Sequence, residues 1–197
     1  METLSPGNML QNKKSKILLL TIFFLLAFME RVVYDLGPNI ELVTAVMILS
    51  SFYFGKKESF WLTFAIIATT DRLIGNSNIF LFTWSGFLIP ALFSSKLIKI
   101  LRLKLRLKLL SPILTGLSSN IFFYFWTNFG VWLLSGMYPK TASGLLMSYF
   151  YALPFLKNQL ISTLVFVPLL FAVIEIAKSV LPKLSIHPDP LSQEKIL

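Results

Sequence analysis

The side chains with chemistry to offer in this chain are amides, hydroxyls and aromatic rings gathered in one long apolar segment. Gly116, Asn120, Tyr124, Thr127, Asn128, Val131 and Ser135 fall, at helical spacing, within one stripe about 120° wide. Phe122, Phe125, Trp126, Phe129 and Leu133 fall on the opposite side. So apolar a segment reads as a membrane span, with the aromatic face toward lipid and the polar stripe toward protein, water or a ligand. An unpaired amide in hydrocarbon costs roughly 4–8 kcal/mol on the cyclohexane scale, so both asparagines need partners. Two readings stand. The amides either hydrogen-bond neighbouring helices as polar glue, or they line a ligand site.

Catalysis has little raw material. The chain has no cysteine and a single histidine, His187, set in a polar tail between prolines. Thiolate metal sites, zinc chemistry and a Ser-His-Asp triad are therefore excluded. Neither a nucleophile constellation nor an acid/base pair stands out, and the expectation is a protein that is not an enzyme and carries no cofactor.

The elements that must position the stripe follow from composition. A chain of 197 residues with 55% hydrophobic and 14% charged residues reads as an integral membrane protein, of one domain with about six spans. The expected spans are 17–34, 40–54, 59–73, 79–98, 110–134 and 158–181. They form a membrane domain over 17–181, flanked by cytoplasmic tails at 1–16 and 182–197. The first span follows Lys13, Lys14 and Lys16 like a signal peptide, but no small-residue cleavage site follows it and it reads as retained. Pro90 and Pro168 fall inside spans.

The net charge of +9 obeys membrane topology and does not point to nucleic acid. With the N-terminus inside, only Arg31, Arg72, Lys140 and Lys157 of the 18 basic residues lie outside, which satisfies the positive-inside rule. The predicted place is the cell membrane, multi-pass, with both termini cytoplasmic and the lipid bilayer as first partner. The basic run Lys96 to Lys108 reads as a topology anchor or as a docking surface for a cytoplasmic partner. The 12 residues LLMSYFYALPFL between Gly144 and Lys157 are too few to span. They read as a lid between helices 5 and 6, lying across the outer mouth, with Gly144 and Pro154 as hinges. The predicted fold is an all-α membrane bundle of six transmembrane helices with that lid.

Aromatic residues are concentrated at the expected outer end, where Trp84, Trp132 and Tyr138 join Tyr34, Tyr149 and Tyr151. A belt should mark both surfaces, so the excess favours a pocket there. Asp71 and Arg72, adjacent at the end of span 3, are either wet or functional, and Glu30, Arg31 and Glu41 share that reading. Glu175 and Lys178, three apart, read as a helix-surface pair.

The words TNFGVW (127–132), YPKT (138–141), Gly144 and ALPFLKN (152–158), with Pro38-Asn39, Ala45 and Asp71, resemble an uncharacterised bacterial membrane-protein family. That family is similar in turn to the substrate-binding S components of energy-coupling-factor vitamin transporters. The resemblance implies six membrane helices, with a solute site near the outer face closed by loops after spans 1, 3 and 5. It adds Asn39, Thr141 and Asn158 to the candidate substrate-binding residues Asp71, Trp84, Asn120, Tyr124, Asn128, Trp132 and Tyr138. It also implies a membrane coupling subunit and separate ATPase subunits as partners. In keeping with that, the chain has no phosphate-binding glycine loop. One departure is that span 1 carries only Ala27 where many S components have an Ala-xxx-Ala docking face. The expected function is small-solute uptake as a substrate-binding subunit. The alternative is a non-transporting membrane scaffold with the same helix arrangement, like the small rod-shape-determining membrane subunits.

Overall fold

A computed structural model describes residues 13–75, 77–105 and 108–180. Arg106, Lys183, His187, Lys195, the expected C-terminal tail and residues 1–12 lie outside the described residues. Six α-helices follow in order: α1 (Lys13–Met29), α2 (Val43–Phe54), α3 (Lys56–Ile74), α4 (Phe80–Leu105), α5 (Leu110–Leu134) and α6 (Ala142–Val180). There is no strand among the described residues. Lys13–Tyr34, Phe80–Lys104 and Ala142–Lys178 are long and apolar enough to cross a membrane.

Burial follows helical periodicity on apolar helices. On α1, Leu19, Phe23 and Ala27 turn inward at four-residue spacing, while Ile17, Leu18, Leu25 and Leu26 stay exposed. A helix that is apolar on its exposed face as well suits a lipid neighbour. α2 is the hub of the bundle. It has only 12 residues, about 18 Å of helix, and all but Phe52 and Phe54 are buried. Its Val46 and Leu49 cluster with Ile66 and Ile67 of α3, Val167 of α6, and Phe23 and Ala27 of α1.

Small polar residues draw the helices together, as they do where apolar burial gives no advantage over lipid. Ser94 donates to Ser51 at 2.6 Å, and Ser51 and Ser95 share a hydrogen bond of 2.7 Å. Ser59 donates to the Met47 carbonyl at 2.9 Å. At Gly116, a Cβ would lie 2.7 Å from Thr163 Cγ2, so α5 and α6 touch nearly backbone to side chain there.

The two ends of the bundle differ. At one end Lys16 pairs with Glu58, and Glu175 takes Lys108 (2.9 Å), Lys178 (2.8 Å) and the Tyr53 hydroxyl (2.9 Å). At the other, Arg31 pairs with Asp71.

The sixth helix corrects the sequence reading. The stretch 144–157 is not a separate lid; it is the first part of α6, a helix of 39 residues and about 58 Å. Thr141 caps its start, its Oγ1 accepting from the Gly144 amide at 3.1 Å. Thereafter the segment runs alongside α5. Tyr124 donates to the Tyr149 carbonyl at 2.7 Å and Ser148 to the Asn128 carbonyl at 3.2 Å. Pro154 and Pro168 both sit within the helix, each forgoing only one backbone bond. Gly144 is no hinge: a Cβ there would lie 2.0 Å from the Pro139 carbonyl oxygen, so the close approach of the α5–α6 connection demands glycine.

Candidate functional site

The end opposite the lysines is shaped by the exit from α1. Glu30–Tyr34 form a wide π turn, closed by the Asp35 amide bonding the Glu30 carbonyl five residues back at 2.9 Å. Such turns re-aim side chains and recur at functional sites. Here Glu30 is turned into the protein, 6% exposed, and Arg31 faces α3. Arg31 Nη2 donates to Asp71 Oδ1 at 2.7 Å and its Nε to Thr70 Oγ1 at 3.0 Å. The second Asp71 oxygen accepts from Trp84 Nε1, also at 2.7 Å. Asp71 thus ties the π turn after α1 to α3 and α4.

The connection 35–42 folds back over this triad. Asp35 Oδ1 accepts from the Gly37 amide at 3.3 Å, and the Ile40 amide bonds the Gly37 carbonyl at 3.0 Å. Gly37 (φ +114°) and Asn39 (φ +58°) take left-handed conformations that suit glycine and asparagine. Under the fold lies an open cleft of about 280 Å³, lined by Glu30, Arg31, Asp35, Gly37, Pro38, Asn39, Ile40, Glu41 and Ile74. Asn158 holds its rim to α6, donating to the Pro38 carbonyl at 3.0 Å.

Behind the cleft is a buried polar network. Glu41 Oε1 accepts from Thr44 Oγ1 at 2.8 Å and Gln159 Nε2 at 3.2 Å, and the Glu41 amide donates to Ser162 Oγ at 3.2 Å. The Leu42 amide donates to Glu30 Oε2 at 3.1 Å. Deeper still, Asn120 Nδ2 donates to the Gln159 carbonyl at 2.9 Å and to Thr163 Oγ1 at 2.6 Å. The other amide oxygens, Asn120 Oδ1 and Gln159 Oε1, are buried with no partner. Among the described residues neither Glu30, Asp35 nor Glu41 forms an ion pair. No group of three or more His, Cys, Asp or Glu able to hold a metal occurs there either.

The ten residues expected from the sequence therefore divide. Asp71, Trp84, Asn39 and Asn158 gather at the cleft or its supports, and Asn120 belongs to the network behind it. Five do not join them. Tyr124 bonds α6, and the Asn128 amide donates to the Tyr124 carbonyl of its own helix at 2.8 Å. Trp132 donates to the Pro139 carbonyl at 3.0 Å, Tyr138 stacks on Tyr151 at 6.4 Å, and Thr141 caps α6. Reasoning from sequence left out Gln159 and Ser162. The signal available was helical spacing, which puts Gln159 and Thr163 four apart on one face of an apolar helix.

Fold and site define an all-helical protein with membrane-length apolar helices and an acidic cleft at one end. The chain belongs to the DUF6580 family, a family of unknown function, whose profile matches residues 11–184. No curated protein matches the chain, and no solved structure does.

Proposed function

We propose that this is a membrane-embedded solute-binding subunit, similar to the S components, which receives a small polar solute from outside at the cleft beneath residues 35–42. In this reading the bundle is embedded in the bilayer with both termini cytoplasmic, the short α2 enclosed by the other helices and relying on its flanking residues to complete its passage. Uptake is driven by a separate membrane coupling subunit and ATPase subunits. The observation that carries the reading is a polar cleft of about 280 Å³ at the end of an apolar bundle remote from its basic end. That volume lies near the lower bound of roughly 300 Å³ for small-molecule pockets. The distribution of lysine and arginine supports the orientation. α6, at about 58 Å, is longer than the roughly 30 Å hydrocarbon core, and in this orientation its first turns would lie at the outer interface. The element placed to close over solute is the 35–42 connection, with Gly37 as its flexible point, and not the start of α6.

A second reading, the scaffold, draws on a different observation. The stripe on α5 spends Asn120 and Tyr124 on contacts with α6, as structural glue does. Native mass spectrometry of protein purified in mild detergent separates the two. A retained species of small-molecule mass is expected for a solute-binding subunit. Protein partners with no small molecule would favour the scaffold.

A further inference from the structure

A narrow groove of about 200 Å³ runs between α1 and α6. It stays open because each helix packs mainly on other neighbours, α1 on α2 and α3, and α6 on α5 and α2. Leu19, Phe23 and Ile174 make its buried floor, and Leu18, Ile22 and Val173 its exposed walls. Among the described lining residues every side chain but one is apolar. The exception, Lys178, closes the groove at the basic end of the bundle.

Shape decides against a partner helix. A helix with its side chains is about 10–12 Å across, and helices approach closely in membranes where small residues line the contact. Here Ala177 alone is small among the described lining residues, and leucine, isoleucine and valine hold the walls. A single hydrocarbon chain is thin enough to lie between them. Leu18 to Leu26 on α1, and Leu170 to Lys178 on α6, each offer it about 12 Å of helix.

Charge at the basic end selects the rest of the molecule. Glu175 is one carboxylate held by two ammonium groups, Lys178 at 2.8 Å and Lys108 at 2.9 Å, so the cluster keeps one positive charge in excess. An ammonium has three donors, and Lys178 therefore has capacity beyond its bond to Glu175. Lys14 stands one turn before Leu18 on the same face of α1. We propose that this groove holds one acyl chain of an anionic phospholipid, with the phosphate seated at Lys178. A zwitterionic lipid fits the same walls but brings its own cation to a place already in cationic excess. The inference requires the bundle to sit in a bilayer and does not involve the cleft.

Native mass spectrometry tests it. Delipidated protein in mild detergent is given equal amounts of phosphatidylglycerol and phosphatidylcholine with identical acyl chains, and the first lipid retained is read. The expected result is a preference of at least fivefold for phosphatidylglycerol, since one basic side chain near an anionic headgroup contributes roughly fivefold. Lys178→Gln should bring the ratio within twofold while lipid is still retained. Ala177→Trp fills the groove and should abolish retention of that first lipid; should it fail to fold, Ile22→Trp on the exposed wall takes its place. Leu92→Trp, at an exposed position on α4, should change neither reading. No preference in the unmodified protein overturns the proposal. A preference that survives Lys178→Gln also overturns it, by placing the headgroup elsewhere, and so does retention that is indifferent to tryptophan in the groove. A dimer of the unmodified protein that Ala177→Trp disrupts would give the groove to a second copy and overturn it as well.

Discussion

Trp84 and Asp71 meet across the α3–α4 pair, the indole N–H donating to one carboxylate oxygen at 2.7 Å while Arg31 takes the other. The pair fixes the back of the cleft, because Arg31 is also one of its lining residues. Trp84→Phe keeps a ring against Phe64 and Phe80 and removes only the donor. A hydrogen bond to a charged group is worth about 1.5–3 kcal/mol, and that is the expected loss of stability. Asp71→Ala leaves a mostly buried guanidinium unpaired and should cost more, about 3–5 kcal/mol. Denaturation of the detergent-solubilised variants measures both, and equal losses would contradict the ranking.

The two asparagines of α5 should behave differently. Asn120, 1% exposed, bonds two groups on α6, whereas Asn128 bonds a carbonyl of its own helix. Asn120→Leu strands the Gln159 carbonyl and Thr163 and must fit a branched side chain into a filled site. A loss of about 2–4 kcal/mol is expected from the lost bonds and overpacking together. Asn128→Leu should stay within about 0.5 kcal/mol. Thermal melts decide it, and a destabilised Asn128→Leu with a stable Asn120→Leu would show the network is misassigned.

The first turns of α6 offer a third test. A lid loop exchanges its amides rapidly, while a helix packed on α5 does not. Amides of 145–152 should therefore exchange as slowly as those of 122–130 without any added solute. Gly144→Ala pushes a Cβ into the Pro139 carbonyl, and protection over 142–149 should fall by at least tenfold. Fast exchange in the unmodified protein would restore the lid.

Much of the helix layout was legible because charges and glycines punctuate it. Gly55 with Lys56 and Lys57, and Gly75 after Arg72, mark turns that the fold places at those positions. The start of α6 differs from the expected 158 because Lys157 bounds a stretch of 12 residues too short to span and Pro154 reads within it as a hinge. A proline inside an apolar helix gives up one backbone bond, and a lysine's long stem reaches the interface, so neither need end the helix. At the site, Asp71 and Trp84 stood out as a costly charge and an outer aromatic. Their partner did not, because adjacency drew attention to Arg72, while the π turn brings in Arg31 from a different helix. Nor does periodicity reveal an amide that folds back on its own helix, as Asn128 does.

The central claim is a cleft open to the outside of the membrane, and cysteine labelling in intact cells tests it most directly. The chain has no native cysteine, so each introduced thiol reports alone. Asn39→Cys places one on the exposed rim of the cleft, and Lys104→Cys places one at the exposed basic end. With an impermeant maleimide, the account predicts that Asn39→Cys is labelled in intact cells while Lys104→Cys is labelled only after lysis. Labelling of Lys104→Cys in intact cells, with Asn39→Cys silent until lysis, would invert the orientation and contradict the claim.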